Sequence, residues 1–131
     1  MWRDTGLWAD VRELPESVAA TLDAADGFAE AAALLSGPDV RRIVASGNGG
    51  AYYVAHALWL AAATAAGPEV VAVPSGLLSG GWFRFRPGDR LLAVSSSGEF
   101  RDLVEAVEAG AAPAPYAAVT ATAGSTIERG A

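Results

Sequence analysis

Four short apolar runs, RRIVAS (41–46), EVVAVP (69–74), RLLAVSS (90–96) and YAAVTA (116–121), limit what this chain can fold into. Each run is continuous. A strand with one wet face would alternate apolar and polar residues, so these have the pattern of strands covered on both faces. Parallel neighbours need about a dozen residues to cross over, and every interval between the runs supplies that length. Ala51–Ala66 is rich in alanine and favours a helix. Glu99 to Ala109 places Phe100, Leu103, Val104 and Val107 on one helical face. The stretch 75–89 reads as a short helix followed by a turn at RPGD. The pattern predicts an α/β protein with an open, doubly wound parallel sheet and helices on both faces.

A helix is expected ahead of the sheet, over residues 15–38. Val18, Leu22, Ala25, Ala29, Ala32 and Leu35 recur at helical spacing, Pro15 suits a first turn, and SGPD (36–39) supplies a glycine stop followed by proline. The 131 residues are enough for one ordinary domain. The expected organisation is an N-terminal helical segment, 1–39, and a ligand-binding α/β segment, 40–131.

Composition removes several chemistries. With no cysteine there are no disulfides, thiolate catalysis or cysteine-based metal sites, which fits a cytoplasmic protein. The only histidine, His56, has no second histidine to share a metal, so no metal site is expected. All nine basic residues are arginine, so a lysine Schiff base is excluded. A net charge of −6 argues against nucleic-acid or anionic-membrane partners. The N-terminal residues carry charges in place of a signal-peptide core, and the apolar stretch 57–67 is too short to span a bilayer.

In an open α/β sheet, ligands sit outside the carboxyl ends of the strands. Three loops of unusual composition leave those ends: SGNGGAYY (46–53), SSSGEF (95–100) and TATAGST (120–126). In the second, Ser95, Ser96 and Ser97 end a strand, and Gly98 permits a tight turn and close approach to a ligand. Glu99 is then expected to open the following helix. Helix N–H groups, the positive dipole end and uncharged hydroxyls together could cradle a phosphate. Plain N-capping by Ser96 or Ser97 is the alternative. The first loop, Gly47-Asn48-Gly49-Gly50, lacks the third glycine and the ribose-binding acid of a dinucleotide fingerprint, and no phosphate-loop lysine is present. No cofactor is expected. Glu99 is the only carboxylate inside a binding loop, and complementing the helix dipole is its expected role ahead of catalysis.

The order of these loops, GNGG after the first strand, SSSGE (95–99) after the third, then Thr120 and Ser125 in VTATAGSTI after the fourth, resembles the sugar isomerase (SIS) domain family over residues 40–131. WADVRELPESV (8–18) is similar to the helical entry of two-domain members, such as the isomerase half of glutamine–fructose-6-phosphate aminotransferase and related sugar deaminases. The resemblance implies a phosphosugar ligand, its phosphate held by the serine loop. The site it implies comprises Gly47, Asn48, Gly49, Gly50, Ser95, Ser96, Ser97, Gly98 and Thr120. It also implies a homodimer or a second SIS half as partner. Ala51 and Phe100 depart from the family's first-loop and serine-loop patterns, and a further strand is expected beyond STIERGA (125–131). The expected function is phosphosugar binding in, or derived from, a sugar-phosphate isomerase or amino-sugar enzyme. If such a chain is active as an aldose–ketose isomerase, a missing half or partner subunit supplies the catalytic groups. A non-catalytic sugar-phosphate sensor and a structural dimerisation module are the alternatives.

Overall fold

The computed structural model describes residues 6–131. The chain divides into two compact units between Ala32 and Ala33.

The expected helix over 15–38 is in fact two helices, α1 (Gly6–Asp23) and α2 (Ala25–Leu35). Pro15 lies inside α1 rather than at its first turn. Upstream, Leu7, Ala9, Arg12, Glu13 and Leu14 are all strong helix formers. The helix is therefore established before the proline, whose ring removes one N–H bond from its interior. The break falls where the Thr21 hydroxyl donates back to the Ser17 carbonyl at 2.8 Å and the Ala24 N–H turns to the Thr21 carbonyl. Such local bonds compete with helix continuation. Val18 and Leu22, expected to share one helical face, are exposed. At the other end SGPD acts as expected, and α2 stops at Leu35, one residue before it.

The second unit is the sheet. Strands β1 (Arg42–Gly47), β2 (Glu69–Pro74), β3 (Asp89–Val94) and β4 (Ala117–Val119) are all parallel, in the order β2-β1-β3-β4. Each falls within or one residue beyond its apolar run. Helix α3 (Gly50–Ala62) packs on β1 and β2 and ends four residues short of its expected limit. Helices α4 (Ser75–Ser79), α5 (Arg101–Glu108) and α6 (Thr126–Arg129) cover the opposite face. There Val44, Val73, Leu91 and Ala93 meet Leu78, Leu103, Ala106 and Ile127. Leu91 and Leu103 are fully buried, each contributing about 2 kcal/mol of transfer free energy. This is the doubly wound α/β architecture the apolar runs require.

The sheet's first rung carries charge. Arg42 is in register with Glu69 on one side and Asp89 on the other. Its guanidinium grips Asp89 through Nε at 3.0 Å and Nη2 at 2.5 Å, and lies over the Phe83 ring. Asp89 also accepts the Arg86 N–H at 2.8 Å. Burial pushes the Asp89 carboxyl toward protonation, but the Arg42 and Arg86 hydrogen bonds and their charges outweigh it, and its pKa is lowered. Removing one partner of such a pair leaves the other buried and uncompensated. Asp89→Asn is expected to cost about 3 kcal/mol at pH 7. A lowered carboxyl pKa contributes stability in full above the ordinary value and loses it as pH falls through the native one. The gap between wild type and Asp89→Asn should therefore narrow below about pH 4. Urea unfolding at pH 7 and pH 3 measures both.

Candidate functional site

Strand order places the site. From β1 the chain passes through α3 to β2 on one side, whereas from β3 it passes through α5 to β4 on the other. The two helices lie on opposite faces, so the connections diverge above the neighbouring strands β1 and β3 and open a crevice there. The loops at Gly47–Gly50 and Ser95–Gly98 flank that crevice. β4 borders β3, which brings the Thr120 loop beside the serine loop.

Gly47 closes the base of this crevice. A Cβ there would stand 2.8 Å from the Val94 carbonyl and 2.9 Å from the Ala51 Cβ, so only glycine lets β1, β3 and the first turn of α3 come together. Asn48 turns its Oδ1 onto the Gly49 N–H at 2.9 Å. Gly49 and Gly50 are exposed, with open space where their side chains would be. Gly49 is the N-cap of α3 and has no side chain to cap it.

The three serines do different things. Ser95 is buried and its Oγ accepts the Gly98 N–H at 3.1 Å, closing the loop on itself. Ser96 and Ser97 are exposed. The Ser97 Oγ accepts the Glu99 N–H at 3.2 Å and keeps its own hydroxyl proton for another acceptor. The Ser96 carbonyl gathers the β4 loop, accepting from the Thr120 and Thr122 hydroxyls and the Ala121 N–H. Thr120 is thereby tied to the serine loop.

Glu99 does not open a helix. Helix α5 begins at Arg101, with Phe100 as its N-cap and no capping side-chain bond. The Glu99 carboxylate instead accepts the Thr126 N–H and the Thr126 hydroxyl, each at 2.7 Å, at the start of α6. The hydroxyl bond, then the backbone bond, holds its pKa below the ordinary glutamate range. Dipole complementation of α5 is thus replaced by a clamp between two loops. The first N–H groups of α5 are left without a side-chain cap.

Ser125 supports this clamp from below. It is buried, and a Cβ on Gly98 would overlap its side chain. Tyr116 secures the same segment by donating its hydroxyl to the Ile127 carbonyl at 2.7 Å. The hydroxyls of Ser46, Ser75 and Ser125 are buried without a hydrogen-bond partner. Ser46 lies one residue before the end of β1 and Ser75 directly follows β2, continuous apolar runs in which a single serine gives no sign of its environment. His56 packs edge-on between Tyr52 and Trp59, its Nδ1 buried and unpartnered. Among the described residues no group of three potential metal ligands comes together, and no helix is long and apolar enough to cross a membrane.

No protein-family model and no curated protein matches the chain. Among solved structures, it is similar to a protein from Silicibacter pomeroyi assigned as a phosphosugar isomerase, with a TM-score of 0.69 and 28% identity over 89% of this chain. The chain spans 37% of that protein's length. The likeness supports a sugar isomerase-like fold with the parallel sheet described above.

Gly98 has φ +66°, which side-chain-bearing residues rarely adopt, and its pro-side-chain position is filled by Ser125. Gly98→Ala is expected to destabilise the protein by about 3 kcal/mol, the backbone accounting for 1–2 of these. Adding Ser125→Gly should recover the steric part and leave the backbone part, as read by thermal unfolding of the single and double variants.

Proposed function

We propose that the crevice between β1 and β3 binds a phosphosugar, with its phosphate on the Ser96–Ser97 loop and the start of α5 and its sugar toward Asn48. The observation that carries this reading is an uncapped helix N-terminus beside two exposed serines at the point where the crossovers diverge. Such a corner offers main-chain N–H groups, a positive dipole end and hydroxyl donors to an anion, with Asp102 in the first turn of α5 as the opposing charge. The one carboxylate in the loop, Glu99, is spent on Thr126. The likeness to the phosphosugar isomerase supports a phosphosugar as the ligand class.

The chemistry of Glu99 favours binding over turnover by this chain alone. A general base for aldose–ketose isomerisation needs a carboxylate free to reach the sugar C1–C2 protons and a pKa tuned toward neutrality. Glu99 has both carboxylate oxygens engaged and a lowered pKa. Calorimetric titration with glucose-6-phosphate, fructose-6-phosphate and glucosamine-6-phosphate tests the reading, with Ser97→Ala as the variant. Saturable binding of at least one, weakened about tenfold by Ser97→Ala, is expected from one lost charge-assisted hydrogen bond. A folded chain that binds none of them overturns it.

A second copy is the partner we propose for α3. Its outward side exposes Tyr53, Val54, Trp59 and Leu60, large apolar side chains among alanines that allow close approach. Sedimentation equilibrium should show a dimer at micromolar concentration, and Leu60→Asp should shift it to monomer. A wild-type monomer across that range would remove the proposal.

A further inference from the structure

We propose that the amino-terminal end of the sheet holds a second oxyanion site, built by Arg41 and Arg86, that takes inorganic phosphate or a phosphate monoester. This site is independent of the crevice. It lies below the first rung, and β1 alone separates the two ends by about 17 Å at 3.3 Å per residue.

A cleft of about 300 Å³ opens there, lined by Arg41, Arg42, Glu69, Arg86, Pro87 and Asp89. The chain as a whole carries −6, yet this lining has three guanidinium groups and two carboxylates. Arg42 and Asp89 neutralise one another. Asp39, two residues from Arg41, is engaged by Arg90 at 2.5 Å. What remains is Arg41 and Arg86 against Glu69, with the Arg86 charge also felt by Asp89. Among the described residues neither of these two guanidinium groups donates a hydrogen bond or closes an ion pair, leaving two forks of N–H donors of the shape that matches phosphate oxygens.

The backbone that carries the two arginines is fixed. Arg86 opens the turn Arg86-Pro87-Gly88-Asp89, closed by the Asp89 N–H on the Arg86 carbonyl at 3.0 Å and by the Arg86 N–H on the Asp89 carboxylate. Gly88 has φ +88°, the third-position conformation of a type II turn. The Arg41 N–H donates to the Gly88 carbonyl at 2.8 Å, and the Arg41 carbonyl accepts the Glu69 N–H at 3.1 Å. The Arg41 stem lies over Gly88, where a Cβ would come within 3.0 Å of its Cγ. Arg86 springs from this turn and Arg41 from the entry to β1 that is hydrogen-bonded to it, so only their outer side chains must order on binding, which keeps the entropic cost low.

Two-dimensional NMR of the full chain, titrated with inorganic phosphate and separately with methyl phosphate at constant ionic strength, tests the site. Saturable shifts are expected at the Arg41, Arg86 and Gly88 amides, lost in the double variant Arg41→Ala/Arg86→Ala. That variant leaves the Arg42–Asp89 pair and every main-chain bond in place. Glu69→Gln removes the one opposing charge and should tighten binding about threefold, which is readable even where the double variant fails to fold. Tighter binding of methyl phosphate than of phosphate identifies a monoester as ligand, and the reverse identifies the free ion. Shifts that grow linearly with phosphate overturn the proposal. So do shifts that survive the double variant, or that stay confined to residues 95–98.

Discussion

The pairing of β1 with β3 is the constraint on which the candidate site depends. Had β1 kept only its successor β2 as neighbour and stood at an edge, the two crossovers would leave the sheet in the same sense and no crevice would open. Because β3 docks on the free side of β1, α3 and α5 diverge to opposite faces. That docking requires Gly47, the one residue small enough to accept the Val94 carbonyl and the first turn of α3 together. The same pairing sets Arg42 against Asp89 at the other end of the strands. One strand contact thus brings two loops together above the sheet and fixes a charged rung below it.

Much of this was legible in the residues. The four continuous apolar runs located the strands because burial on both faces writes itself along the chain. The RPGD turn was legible for the same local reason, since Pro87 and Gly88 suit adjacent positions of one turn type. The SGPD stop likewise lies beside the end it dictates. Local signals misled where two of them competed. Pro15 resembles a helix start, but the helix formers before it outweigh one missing N–H.

Contacts between distant residues were not legible. Glu99 looks like a first-turn acid, and its true partner is Thr126, 27 positions on. Ser125 could be singled out beside Thr120, yet its packing on Gly98 follows from the placement of α6 by Tyr116 and Ile127. Three adjacent serines read alike as letters. Their division into a buried loop-closer, Ser95, and two exposed donors, Ser96 and Ser97, is decided by which way the strand end turns.

The Glu99 clamp shows what this arrangement favours. A carboxylate held by two hydrogen bonds from Thr126 favours its ionised form, and it links the serine loop to the start of α6. A preformed loop lowers the ordering cost of capturing an anion. The same bonds remove the freedom and basicity a proton-transferring glutamate needs. Rigidity and basicity are alternatives for one side chain, and here the geometry supplies rigidity. Aldose–ketose chemistry on this fold would therefore need a base other than Glu99.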